Sequence, residues 1–246
     1  MNNIYIYDQE LSNRRYQKVL EQLETRLTDL GIGGKIYRLA PLTRFEDAIR
    51  DEVAKKPKTI VAVGGDALVS RLAGALVGKD IALGFVPIGT SMIGDAFGIT
   101  LESACRTLAA RRLVTLDIGK VDNRHTFLCR AEITTKNPKI IIDGELSVST
   151  EGAATIEAIN VIGDEFGYRG AVPRADDGKL NAYILKTQSG FLTKEISQSA
   201  FICKQLEIIS GVTKVLLDGG IEVAGAKSLE ITPRALTAIV GKDRTF

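Results

Sequence analysis

Apolar residues in the first part of the chain recur in two alternating rhythms. Ile4 to Tyr7 is a short apolar run, after which Leu11, Ser12 and Asn13 lead into a long helical stretch. There Tyr16, Val19, Leu20, Leu23, Leu27 and Leu30 fall at three- and four-residue steps, which places them on one helical face. Gly31 follows, where a left-handed cap ends a helix. Lys35 to Leu39 reads as a strand, and Thr43 with Glu46 has capping-box spacing for a helix carrying Phe45, Ala48, Ile49 and Val53. Thr59 to Val63 is apolar and β-branched, as in a strand covered on both faces of a parallel sheet. Gly64-Gly65-Asp66 comes directly after it, then a helix with Leu68, Val69, Leu72 and Leu76. Ile81 to Val86 is a second buried strand, ended by Pro87 and a Gly89-Thr90 turn, and Leu101 to Ala110 is helical. This alternation predicts right-handed βαβ units, hence an α/β domain with a doubly wound, mostly parallel sheet.

Near residue 113 the pattern changes. Short alternating runs follow at 113–121, 125–134, 139–148, 155–162, 180–187, 200–209, 213–217, 228–232 and 237–240. Asn137-Pro138, Asp143-Gly144, Gly163, Asp177-Gly178, Gly211 and Asp218-Gly219 punctuate them. Many short strands without helices predict an all-β antiparallel, sandwich-like domain. The expected division is residues 1–113 and 114–246, with the last segment able to return to the first domain.

Composition narrows the function classes. Lys+Arg at 32 against Asp+Glu at 30 leaves a net charge of +2, which gives no reason to expect nucleic acid. No run approaches the ~20 apolar residues of a bilayer span. The start of the chain lacks the basic and apolar regions of a secretion signal. Cys105, Cys129 and Cys203 are few and far apart, and read as buried free thiols of a reducing, cytoplasmic setting. His125 is the single histidine and lies in an alternating run, so it reads as a strand residue and leaves a serine hydrolase without a base.

Chemistry is expected at the carboxyl ends of the parallel strands, where open α/β sheets bind ligands. Two glycine-bearing loops have that position, Gly64-Gly65-Asp66 and Pro87-Ile88-Gly89-Thr90-Ser91. Exposed backbone N–H groups and a helix N-terminus there suit phosphate. Asp66 would repel phosphate unless it binds a metal or accepts a proton; otherwise it is a capping residue in a plain tight turn. The chain has neither a P-loop nor a Gly-x-Gly-x-x-Gly fingerprint.

The stretch Thr59 to Leu76, with Gly64-Gly65-Asp66, resembles the Gly-Gly-Asp-Gly-Thr segment of diacylglycerol and sphingosine kinases, within the NAD kinase superfamily. Pro87-Ile88-Gly89-Thr90 resembles their Pro-Leu-Gly-Thr loop, Leu116 to Val121 the start of their β domain, and Pro173 to Leu180 their Pro-x-Ala…Asp-Asp-Gly-x-Leu segment. Asp218-Gly219 falls where the family has Asp-Gly-Glu, and Pro233-Arg234-Ala235-Leu236 resembles the strand after it. The order of motifs is kept over nearly the whole chain, and the lipid-kinase branch fits better than the NAD-kinase branch. The resemblance implies ATP and Mg²⁺ held between the two domains, with Gly64, Gly65, Asp66, Ala67, Gly89, Thr90 and Ser91 about the nucleotide. It implies Asp66 and Asp218 as catalytic carboxylates, and Asp177 and Asp218 as metal contacts. It further implies a lipid or similar hydroxyl substrate and at most peripheral membrane contact. Exposed strand edges in the second domain leave room for a homodimer.

The chain also departs from the family pattern. Ala67 replaces a glycine, and would be strained by roughly 1 kcal/mol if that position needs positive φ. Leu68 replaces threonine, Ser91-Met92-Ile93 stands where the family has Gly-Asn-Asp, and Gly220 replaces the glutamate of Asp-Gly-Glu. Tyr7-Asp8 stands in place of an Asn-Pro, and a helical segment between Thr134 and Lys139 is missing, which weakens the lipid reading in particular. Two functions stay open on these residues: an ATP-dependent lipid kinase, or a degenerate kinase that binds a nucleotide, lipid or partner without transfer.

Overall fold

The structure is a computed structural model that describes residues 2–40, 44–161, 173–189, 194–209 and 214–246. The chain divides into two compact units, Met1–Leu116 with Ala235–Thr245, and Asp117–Arg234 with Phe246.

In the first unit, β1 (Asn3–Tyr7), β2 (Lys35–Arg38), β3 (Thr59–Gly64) and β4 (Ala82–Pro87) form a parallel sheet in the order β2-β1-β3-β4. The register pairs Tyr5 with Val61 and Val61 with Gly84. Ala238, from the C-terminal segment, adds a parallel pairing to Leu83. Among the described residues five α-helices accompany this sheet: α1 (Gln17–Asp29), α2 (Phe45–Ala54), α3 (Asp66–Leu76), α4 (Met92–Phe97) and α5 (Leu101–Ala110). Every residue of β1, β3 and β4 is buried, as expected for parallel strands whose two faces both meet helices. Leu20, Leu23 and Leu27 of α1 and Leu68, Val69, Leu72 and Leu76 of α3 supply the facing apolar stripes.

Three local features differ from the sequence expectation. The stretch after Leu11 opens as two 3-10 turns, Gln9–Ser12 and Arg14–Tyr16, and only becomes a regular helix at Gln17. Asn13 causes the break, because its side chain accepts from the Arg15 N–H at 3.0 Å and holds an extended conformation between the turns. Thr43, expected to cap α2, lies outside the described residues; Arg44 is the N-cap and no side chain bonds there. Helix α4 was not expected at all, since six residues are too few to show a periodicity.

The second unit is all β. Its strands are β5 (Leu113–Val121, starting in the first unit), β6 (His125–Phe127), β7 (Arg130–Lys136), β8 (Lys139–Ile142), β9 (Leu146–Ser149) and β10 (Ala153–Ile159). They continue with β11 (Leu180–Ser189), β12 (Lys194–Cys203), β13 (Gln205–Ile208), β14 (Lys214–Leu217), β15 (Ile221–Ala224) and β16 (Ser228–Ile239), the last of which ends in the first unit. One antiparallel sheet has the order β12-β11-β10-β7-β14-β15. In the other, β13 lies between β8 and β16, with β9 beyond β8. Inward residues of both, among them Ile133, Ile156, Ala182 and Val215 from one and Ile140, Leu206 and Leu229 from the other, form a single apolar core. That shared core makes the unit a sandwich.

Several predicted runs are subdivided. The run 125–134 breaks at Leu128-Cys129, and 139–148 is a hairpin turning at Asp143-Gly144. The last two runs join into the single strand β16, and β15 is an additional strand. Only Asn137-Pro138 separates β7 from β8, so the connection holds no helix. Gly163 and Gly211 lie outside the described residues.

Candidate functional site

In the first unit the two glycine loops leave the carboxyl ends of the neighbouring strands β3 and β4. They are tied together by the Ile88 N–H, which donates to Gly64 O at 2.9 Å. Gly64 has φ +155°, and a β-carbon there would lie 2.7 Å from Asp8 Cβ, so only glycine fits beside the end of β1. Gly65 is the N-cap of α3 and gives the helix no side-chain cap. The first-turn N–H of Ala67 therefore has no partner among the described residues, and such groups suit an anion.

Ala67 is the second residue of α3 and is absent from the positive-φ positions, which corrects the expectation of strain. The backbone has already turned at Gly64 and Gly65, so the residue after Asp66 needs no special conformation. Leu68 is buried, and one of its methyl groups approaches within 3.3 Å of the position a Gly64 β-carbon would take.

Asp66 bridges the two loops. Its Oδ1 accepts a short hydrogen bond from Ser91 Oγ, and its Oδ2 accepts from the Met92 N–H at 2.8 Å. Ser91 Oγ in turn accepts from the Gly94 N–H at 2.7 Å, as the N-cap of α4. Asp66 thus works as a capping aspartate, but one that caps the helix of the next loop and remains partly exposed. Gly89 and Thr90 are exposed on the same loop, whereas Ser91 is buried.

The carboxylates nominated in the second unit have different settings. Asp218 is 1% exposed; its Oδ1 accepts from the N–H groups of Cys129 and Arg130, at 2.8 and 3.0 Å, and its Oδ2 from that of Leu128 at 2.8 Å. It stands with Gly219 at the tip of the β14–β15 hairpin. Both residues have positive φ (+45° and +69°), and the Gly220 N–H closes the turn on Leu217 O at 3.0 Å. That is an Asp-Gly turn inside a three-residue hairpin loop, across which Leu217 pairs with Ile221. Glu222 is exposed and pairs with Lys214 at 2.7 Å, on the β15 position opposite Leu216. Asp177 is exposed and accepts from the Lys179 N–H at 3.0 Å. His125 lies exposed in β6. All three cysteines are buried thiols, and burial pushes Cys203 up to about 12.

Two residues escaped the sequence reading. Asp117, fully buried, accepts from the N–H groups of Gly178 at 2.6 Å and Arg234 at 2.7 Å, and so fixes the loop that carries Asp177. Asp8 ends β1 beside Gly64 and is partly exposed. Asp117 had a signal, a lone acid inside an apolar strand. Asp8 had only its place after a buried run.

Residues 4–121 match the family model of the diacylglycerol kinase catalytic domain. Solved structures from Bacillus anthracis str. Sterne share the fold. One, of a diacylglycerol kinase, is 17% identical with a TM-score of 0.70. Two others, each described as a "putative diacylglycerol kinase", are 16% identical with TM-scores of 0.75 and 0.76. Each alignment covers 98% of this chain and 97% of the other. No curated protein gives a significant match.

Proposed function

We propose, from the membership of residues 4–121 in the diacylglycerol kinase catalytic-domain family, that this chain transfers a phosphoryl group from ATP to a lipid hydroxyl. The observation that carries the reading is the pair of glycine loops at the ends of β3 and β4, inside the matched segment. In this reading residues 1–113 bind the nucleotide. The Gly64-Gly65 backbone lets phosphates approach, the free first-turn N–H of α3 faces their charge, and Gly89, Thr90 and Ser91 line the second loop. The substrate hydroxyl oxygen forms a bond to the γ-phosphorus as the bond to the β–γ bridging oxygen breaks, ADP leaves, and the hydroxyl proton goes to a nearby carboxylate. Positioning and charge neutralisation supply most of the rate in such transfers.

The residues fit a cation that arrives with the nucleotide. Among the described residues no three acidic, histidine or cysteine side chains gather into a metal cluster, and Mg²⁺ commonly takes one or two carboxylates plus substrate phosphates. A single carboxylate beside the glycine loops of the first unit would meet that ion, with Asp66 holding those loops together through Ser91 and Met92, and the ion would neutralise charge on the phosphates. Asp218, sealed by three N–H groups, contributes by fixing the β6–β7 break. The departures that motivated a non-catalytic reading have ordinary structural roles: Ala67 is unstrained, Met92 holds Asp66 through its N–H, and Gly220 closes a hairpin.

No helix among the described residues is long and apolar enough to cross a membrane. The test is incubation with labelled ATP, Mg²⁺ and vesicles of a lipid panel. Transfer to a lipid that Asp66→Ala reduces by about a hundredfold supports the reading. Binding of ATP with no transfer to any acceptor would leave the non-catalytic binder instead.

A further inference from the structure

The carboxylates that the sequence nominates are all engaged. Asp66 is held by Ser91 and Met92, Asp218 by three N–H groups, and Asp177 by Lys179. Asp8 differs. Its backbone is fixed on both sides, the N–H donating to Val63 O at 2.9 Å and the carbonyl accepting from Leu11 at 3.1 Å. Its side chain, however, caps neither of the turns that follow and makes no hydrogen bond or ion pair among the described residues. That free carboxylate sits against the glycine loop, Oδ2 only 3.1 Å from where a Gly64 β-carbon would be. The chain has kept φ +155° and a glycine at 64, and so leaves space for it. Everything below it on β1 is sealed: Tyr7 is fully buried, and burial pushes its phenol above the usual tyrosine range. Among the described residues, Asp8 is thus an unengaged carboxylate directly beside the glycine loop at the end of β3.

We propose that Asp8 is the carboxylate that contacts the divalent cation of a bound nucleotide, while Asp66 serves as a positioning residue that locks the β3 and β4 loops together. A negative charge on rigid backbone next to a phosphate loop opposes a bare polyphosphate and favours one carrying a cation. Asp66 is poorly suited to that contact, because releasing its oxygens would uncap α4. The inference rests on the nucleotide-binding reading above.

The experiment is calorimetric titration of ATP with and without Mn²⁺, paired with water-proton relaxation of bound Mn²⁺, on the intact chain and on Asp8→Asn and Asp66→Asn, each checked by circular dichroism. For the parent chain Mn²⁺ tightens ATP binding by about tenfold or more. Asp8→Asn loses most of that increment and binds metal-free ATP several-fold more tightly, whereas Asp66→Asn keeps the increment. If Asp8→Asn retains it, or Asp66→Asn alone abolishes it, or the parent chain binds ATP equally with and without Mn²⁺, the assignment of Asp8 is wrong and the nucleotide reading survives. If the parent chain binds no ATP under either condition, the nucleotide reading itself fails and the inference falls with it.

Discussion

Asp66 and Asp218 occupy matching places, each just past a strand and each beside a glycine, and the two have opposite fates. Asp66 follows an all-buried parallel strand, so its loop emerges where a sheet of this kind leaves an opening, and its carboxylate stays partly exposed. Asp218 follows an antiparallel strand whose return is a three-residue hairpin loop, and the turn folds its carboxylate inward onto three N–H groups at 1% exposure. The same residue type thus bridges two loops at a candidate site in one unit and replaces missing ladder partners in the other. Chain topology decides which, because a parallel connection opens a crevice and a tight hairpin closes one.

The largest expected effect breaks the comparison at Asp218. Replacing it by alanine strands three N–H donors, two of them fully buried, which costs on the order of 3–5 kcal/mol. Urea unfolding is expected to show that loss for Asp218→Ala and a smaller one for Asp218→Asn, which keeps one acceptor. A loss below about 1 kcal/mol would mean that the carboxylate is not structural, and would restore the case for a chemical role.

The next effect concerns Gly64. A β-carbon there meets Asp8 Cβ at 2.7 Å and adopts an unfavourable φ, so Gly64→Ala is expected to cost about 2–3 kcal/mol. Adding Asp8→Gly relieves the steric part only. The double variant should recover roughly half of the loss, and that coupling is read from a double-mutant cycle of unfolding free energies. Full additivity would show that the strain lies in the backbone alone and that Asp8 does not press on the loop.

These particulars also show what was legible in the sequence. The buried runs at Ile4, Thr59 and Ile81 announced a covered parallel sheet, because only strands buried on both faces are apolar at every position. The glycine loops followed from the ends of those runs. Cooperative details were not legible. The Asp66–Ser91 bond joins residues 25 apart and exists only because β3 and β4 are neighbours. The bonds from Asp218 reach 88 to 90 residues back to a strand break that no local pattern marks. Asp-Gly at 218–219 and Asp143-Gly144 read alike as turns, yet only the register around each decides what its carboxylate holds. Helix α4 stayed hidden because a single turn and a half has no periodicity.

The smallest effect sharpens the comparison with a third carboxylate, held by side-chain charges instead of N–H groups. Glu52 of α2 has a side chain only 3% exposed, and its Oε1 takes Lys35 Nζ at 2.5 Å and Lys55 Nζ at 2.7 Å. Burial alone would raise its pKa, but the hydrogen bonds and charges of the two ammonium groups outweigh it and hold the pKa below the usual glutamate value. A folded-state value below the unfolded one means that the folded form prefers the ionised group. Its stabilisation is therefore present above the unfolded glutamate pKa of roughly 4.3 and is lost as pH falls through the folded value. Both lysines are about half exposed, which screens the pair and keeps its contribution well below that of the sealed Asp218. Unfolding midpoints of the parent chain and Glu52→Gln should differ at pH 7 and converge as pH drops from about 5 to 3. A gap that stays constant across that range would mean that packing of the side chain, and not its ionisation, is what the lysines secure.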